Sequence, residues 1–309
     1  MTFSEQKSKF LAMPDNLKGI ATILVAAIGF SAMVALIKFA GQNLHVTQIL
    51  FVRQLVMVMI VAPAIISHFP ESLKTSRLDL QIYRIIGATI AMLFGFYAVI
   101  HMPLADATAI GFAKSFFVTI AAIIILKEKV GPRRWIAVII GFCGVILMVR
   151  PGTDGFNIIS VYALIGSASA GLVMVIIRKL SQTDSPTTIL TYQAIVVGVL
   201  VAIPAWYFWK SPTVNEWLLL IAIGIISYGA QMLNVYAYKW GEASLLASID
   251  YVRLLYSTAF GYFLFSQLPG PYTWIGSAII IGASIYTIQR ERRHKQRLAS
   301  SPEGRGYTN

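Results

Sequence analysis

Residues 103–151 read PLADATAIGFAKSFFVTIAAIIILKEKVGPRRWIAVIIGFCGVILMVRP. Two apolar runs, 103–126 and 134–149, flank a turn that carries Lys127, Lys129, Arg133 and Arg134. Runs of this kind approach the about 20 residues that an α-helix needs to cross a hydrocarbon core of about 30 Å. The same plan recurs downstream. An offset of 139 residues carries Pro132 onto Pro271, Trp135 onto Trp274, Gly144 onto Ala283, Tyr97-Ala98 onto Tyr236-Ala237 and Lys114 onto Arg253. Towards the front of each copy, an offset of 140 carries Lys38 onto Arg178, Gln42 onto Gln182, Thr47 onto Thr187 and Ile49-Leu50 onto Ile189-Leu190.

The rest of the chain fits this pattern. Of 309 residues, 57% are apolar and 12% charged, and the mean hydropathy is +0.71. A soluble surface needs about twice that charge, so a soluble globular protein is excluded. The spacing predicts ten spanning helices, at 17–41, 46–66, 83–101, 103–126, 134–149, 158–177, 187–209, 216–238, 243–265 and 272–288. The expected fold is therefore an all-α integral membrane bundle of two five-helix repeats, at 17–150 and 156–289. Residues 1–16 form a short N-terminal tail, and 290–309 a basic, disordered C-terminal tail. An odd number of spans per copy inserts the second copy upside down, the arrangement of secondary transporters with a midplane site between repeats.

The basic balance, 25 Lys and Arg against 13 Asp and Glu for a net +12, is largely topogenic. With the N-terminus in the cytoplasm, 19 of the cations fall inside, Lys74, Arg77, Arg84, Arg178, Lys179 and Lys239 among them, and only Arg150 and Lys210 outside. The positive-inside rule thus places both termini in the cytoplasm of a plasma (inner) membrane. Cations interleaved with apolar runs are not a nucleic-acid surface. All six tryptophans fall near span ends, as interfacial anchors do.

Four cations, Lys38, Arg53, Lys114 and Arg253, lie within spans, where a charge costs about 2.5–3.5 kcal/mol on insertion scales. Lys38 is near a helix end and could reach the interface, whereas Arg53 is deeper, with Gln54 beside it. Lys114 and Arg253 are repeat equivalents near mid-span. Asp250 precedes Arg253 by one helical turn and shares its face, so a structural ion pair stands beside a binding role. Asp106 lies near a helix end, in a capping position. More positive than negative charge in a low-dielectric cavity calls for an anion, so the candidate substrate is a small molecule with a carboxylate, phosphate or similar group. Tyr97 and Tyr236 are expected to face each other across the pseudo-two-fold axis. On the eighth span Tyr228, Gln231 and Tyr238 follow helical spacing, and packing competes with ligand contact as their role.

Other chemistry lacks its residues. Cys143 is the single cysteine, and His45, His68, His101 and His294 show neither HxxxH nor HExxH spacing. No GxxxxGK[ST] loop or nucleophile motif occurs, so no enzyme activity, metal or cofactor is expected.

The segments Ala105-Asp-Ala-Thr-Ala-Ile-Gly-Phe, Leu126-Lys-Glu-Lys-Val-Gly-Pro-Arg-Arg-Trp135 and Gly141-Phe-Cys-Gly-Val-Ile-Leu-Met-Val-Arg-Pro151, with their second copy from Glu242 to Gly282, resemble EamA-type transporters of the drug/metabolite superfamily. The sequence around Arg53, Arg84 and Arg253 looks most like the bacterial branch of S-adenosylmethionine and riboflavin carriers. Ser115 stands where relatives often have proline, which implies a straighter helix. The resemblance implies transport by alternating access without choosing a substrate; with the in-span cations, the expected cargo is a small polar metabolite, anionic or zwitterionic, and the expected carrier a monomer or homodimer. Two neighbouring cations at the site make proton coupling a candidate. The competing readings are an exporter of amino acids or amphipathic drugs with structural basic residues, and a membrane receptor or scaffold without flux.

Overall fold

The computed structural model describes residues 14–67, 74–126, 132–150, 156–180, 182–240, 246 and 249–300. The helices are α1 (Asp15–Ala40), α2 (Val46–Ser67), α3 (Leu78–His101), α4 (Leu104–Gly111), α5 (Lys114–Leu126), α6 (Pro132–Val149), α7 (Ile158–Leu180), α8 (Pro186–Tyr207), α9 (Val214–Trp240), α10 (Val252–Phe265) and α11 (Pro271–Ser300). No strand occurs among the described residues, as expected where lipid cannot satisfy an open sheet edge. Seven helical stretches among them are long and apolar enough to cross a membrane, α4 and α5 counting as one. Ile139–Val149 and Val252–Phe265 are shorter apolar helices.

Three expectations change at the ends and in the middle of helices. Helix α11 runs to Ser300, about three turns past the expected stop at residue 288, so the basic stretch from Arg290 to Arg297 is helical. The last residues, 301–309, lie outside the described part, as do 1–13. The fourth span is interrupted: α4 ends at Gly111 and α5 begins at Lys114.

Packing follows the repeat. Helix α1 packs on α9, and its repeat mate α7 packs on α3. Two further pairs, α2 with α8 and α6 with α11, join each helix to its own mate, and α4 packs on α10, the mate of α5. Small residues permit the close approach that membrane helices use in place of a hydrophobic drive. A Cβ on Gly29 would sit 3.1 Å from that of Ala230, one on Gly166 would sit 3.0 Å from the amide of Gly95, and one on Gly276 would sit 2.7 Å from the carbonyl of Gly144. Large apolar side chains such as Ile203, Trp206 and Phe263 are exposed on the outside of the bundle, where lipid is their solvent.

Each end of the α2–α8 pair is latched. At one end the buried Gln48 amide donates to the carbonyl of Lys210 (2.8 Å) and its oxygen accepts from the Lys210 amide (3.2 Å). At the other end the Asp184 carboxylate accepts from Thr75 Oγ1 (2.5 Å), Gln81 Nε2 (2.9 Å) and the Ser76 amide (3.3 Å).

Candidate functional site

The centre of the bundle is built on two interrupted helices related by the repeat. In the first copy the α-helical ladder gives way to 3₁₀ bonds: the amides of Phe112 and Ala113 reach Ala109 and Ile110, and those of Ser115 and Phe116 reach Phe112 and Ala113. In the second copy Tyr251 interrupts the helix, and the Leu254 amide reaches back to the Tyr251 carbonyl. A 3₁₀ stretch within a helix marks a local hinge. Phe112 and Tyr251 are repeat mates, and their rings meet with centroids 4.7 Å apart. The pseudo-two-fold axis therefore passes between them. Ser167 of α7 donates to the Ile110 carbonyl (3.1 Å) at the first break, and Ser31 of α1 donates to the Arg253 carbonyl (3.4 Å) at the second. Gly171, the mate of Ser31, lies so near the first break that a Cβ there would sit 2.9 Å from the Lys114 carbonyl.

Lys114 and Arg253 follow these two breaks, two residues after Phe112 and Tyr251 respectively. Asp250 Oδ1 lies 2.5 Å from Arg253 Nε, and the two side chains are 13% and 17% exposed. The Arg253 guanidinium also lies 4.1 Å from the centroid of the Phe30 ring, a cation–π contact of about 0.5–2 kcal/mol. Lys114 lies within Coulombic range of both Asp250 and Arg253. The two breaks thus bring two cations and one carboxylate, which pairs with Arg253, towards the axis, a net positive charge in a place that water reaches poorly. Such a constellation can hold an anionic group by charge-assisted hydrogen bonds.

The other expected site residues lie elsewhere. Arg53 is 4% exposed; its Nε donates to Ser227 (2.9 Å), and its Nη1 donates to Gln54 (2.8 Å) and to the Met92 sulfur (3.4 Å). Lys38 does not extend to the interface. It is 5% exposed, and Nζ donates to the carbonyls of Val99, Ile100 and Met102 at 3.1, 3.3 and 2.6 Å. These close the end of α3, so the lysine caps the carbonyls a helix end leaves open. Gln231 contacts the Met57 sulfur at 3.9 Å. Tyr97 and Tyr236 do not meet: Tyr97 stacks on His101 (4.0 Å) and touches Tyr162, whereas Tyr236 stacks on Trp240 (5.5 Å). His101 and Trp240 are themselves repeat mates. Each tyrosine lies one turn from its helix end and packs on the residue at that end.

Arg84 is a correction. The sequence counts it among orienting charges at a helix end, yet it is 1% exposed. It donates to Gln193 Oε1 (2.5 Å) and to the Ile189 carbonyl (3.0 Å). Gln54 Nε2 bonds the Gln193 carbonyl (3.1 Å), so Arg53, Gln54, Gln193 and Arg84 form one buried chain between α2, α8 and α3. The signal for it was Gln193 facing Arg53 at the repeat offset of 140. A cavity of about 450 Å³ lined by Phe51, Ala202, Ile203, Trp206 and Trp209 is apolar and opens on the exposed outside of α2 and α8, so it lacks the groups to hold a polar ligand.

The chain is similar in sequence and fold to known proteins. The chain is 29% identical to the S-adenosylmethionine uptake transporter of Rickettsia bellii over 285 residues, 91% of this chain and 98% of that one. It is 27% identical to the riboflavin transporter of Vibrio cholerae over 288 residues (91% and 96%) and 29% identical to the pseudopaline exporter of Pseudomonas aeruginosa over 279 residues (88% and 96%). A solved crystal structure superposes with a TM-score of 0.61 at 18% identity, covering 91% of this chain and 99% of its own, which shows the fold. The EamA-like transporter family matches twice, over residues 17–150 and 157–289; the chain is a multi-pass membrane protein that belongs to this family of transporters, with one family unit in each repeat.

Proposed function

We propose that this protein is a secondary-active carrier for a small polar metabolite bearing an anionic or zwitterionic group. Ten spans in the inner membrane, with both termini cytoplasmic, rock around a midplane site by alternating access. The observation that carries this reading is the pair of repeat-equivalent cations, Lys114 and Arg253, the latter paired with Asp250, that follow the two helix breaks beside the Phe112–Tyr251 contact. The 3₁₀ breaks beside the cations supply the joint about which each half-helix turns. The relatives' named cargoes are polar and the named directions include both uptake and export, which supports a carrier and leaves direction to the assay. Lys38 and Arg53 act by fixing helices rather than by touching substrate.

Counterflow in proteoliposomes against labelled carboxylates, phosphates, amino acids, S-adenosylmethionine and flavins tests the reading. Lys114→Gln and Arg253→Gln are each expected to lower flux of the anionic cargo at least about tenfold, the loss of one charge-assisted contact. Wild-type rates in both variants would sink it. Flux that follows a pH gradient would add proton coupling, and flux indifferent to one would remove it.

A further inference from the structure

The two helix breaks differ at one position. The offset of 139 that relates Lys114 to Arg253 also relates Gly111 to Asp250. In the second copy the residue one turn before the cation supplies a carboxylate, 2.5 Å from Arg253. In the first copy that residue is glycine. A Cβ on Gly111 would have no atom within 4 Å, although neighbours of the same helix, Ala109, Ile110, Phe112 and Ala113, are all buried. Gly111 therefore opens on free space on the Lys114 side of the helix. Among the described residues Lys114 makes no ion pair of its own, and the carboxylate it senses belongs to Arg253.

From this asymmetry we infer that the anionic group of the substrate is a carboxylate bound at Lys114, in the place beside Gly111 that corresponds to the Asp250 carboxylate in the other repeat. The inference rests on the proposed carrier function and narrows it. Residues i and i+3 share a helix face, so the Asp250–Arg253 pair shows the geometry that a ligand carboxylate takes up at Lys114. Glycine keeps that place clear, and the broken ladder next to it leaves the carbonyls of Thr108 and Gly111 without the amides of Phe112 and Ser115, which bond elsewhere. These carbonyls suit a cationic group, such as a substrate ammonium, next to the carboxylate. Repeat symmetry then becomes recognition: one half is paired internally, and the other is completed by cargo.

The test places the missing carboxylate on the chain. The full-length protein in detergent is reductively ¹³C-methylated, and the Lys114 signal, assigned with Lys114→Arg, is followed during titration with sodium acetate against sodium chloride. In the wild type, acetate is expected to shift this signal where chloride does not. Gly111→Asp is expected to weaken that acetate response by about tenfold or more, because a tethered carboxylate competes at high effective concentration. Gly111→Asn, of the same size and uncharged, is expected to keep most of it. The double exchange Gly111→Asp with Asp250→Gly is expected to return acetate sensitivity, now at Arg253, read as recovered protection of the protein against heating by acetate. Equal responses in the Asp and Asn variants, or no acetate shift in the wild type, would overturn the inference. The carrier reading would survive either result if Lys114→Gln or Arg253→Gln still lowered flux, and would fall separately if both transported at the wild-type rate.

Discussion

The α2–α8 latch and the pseudo-two-fold centre bury cations in contrasting ways. In the latch, Arg53 and Arg84 bond to neutral acceptors, Ser227, Gln54, Gln193 and the Ile189 carbonyl. At the centre, Arg253 pairs with the Asp250 carboxylate, and among the described residues Lys114 makes no ion pair. A guanidinium held by fixed dipoles joins helices and resists change, since each lost bond strands a buried group. Two cations beside a single acid keep charge to offer a ligand. Depth in the membrane therefore does not distinguish a binding residue from a structural one, and the partners do.

Exchanging charge in the two regions breaks or sharpens this contrast. The largest effect is expected at the centre, where Lys114→Gln lowers flux at least about tenfold while the protein melts close to the wild-type temperature. Arg84→Met should do the reverse. Loss of two hydrogen bonds from a charged donor destabilises the fold by about 1.5–3 kcal/mol each, read as a lower melting temperature and less folded protein, with flux per folded molecule retained. If Arg53→Gln behaved like Lys114→Gln, with flux lost and melting unchanged, the contrast would fail and Arg53 would join the site.

A smaller effect tests the joint itself. Gly171→Ala sets a methyl 2.9 Å from the Lys114 carbonyl and 2.8 Å from Phe117 Cβ, so α5 must shift. Overpacking of this kind costs about 1–3 kcal/mol, and transport should fall more steeply than stability because the displaced segment carries Lys114. Gly198→Ala, whose added carbon would stand 3.5 Å from Gln54 Cβ, is the matched substitution beside the latch and should leave both nearly unchanged.

The smallest effects concern the ends of the latch. Burial pushes the Asp184 carboxyl up, but hydrogen bonds from Thr75, Gln81 and the Ser76 amide outweigh it and hold the group below its ordinary 3.8. A carboxyl depressed on folding stabilises above its unfolded pKa and loses that contribution as pH falls through the folded value. Melting temperature should therefore decline more steeply below about pH 4 in the wild type than in Asp184→Asn. At the Gln48 end, burial and the nearby His101 charge lower the pKa of His45 from 6.5. The unfolded chain then binds the proton more readily, so stability falls as pH drops below 6.5, and His45→Gln should flatten that slope.

Much of this was legible in the sequence because it depends on period and offset. Apolar run length located the helices, and the 139 offset paired Lys114 with Arg253 before any contact was known. What sequence could not supply was which repeat mates meet. Phe112 and Tyr251 touch, whereas Tyr97 and Tyr236, near helix ends, pack on His101 and Trp240 instead. Arg84 was missed because a residue one turn inside a helix reads as an interfacial charge, and only packing of α3 against α8 reveals its burial. The break at Phe112–Ala113 escaped notice because no proline or glycine pair marks it.

The cross-pairing of α1 with α9 and α3 with α7 bears on how the protein is made. Neither repeat owns a complete core, so helices that leave the ribosome first must wait in lipid, Lys114 included, until their mates are inserted. Two fragments divided between the repeats should each be short-lived alone and persist only when synthesised together.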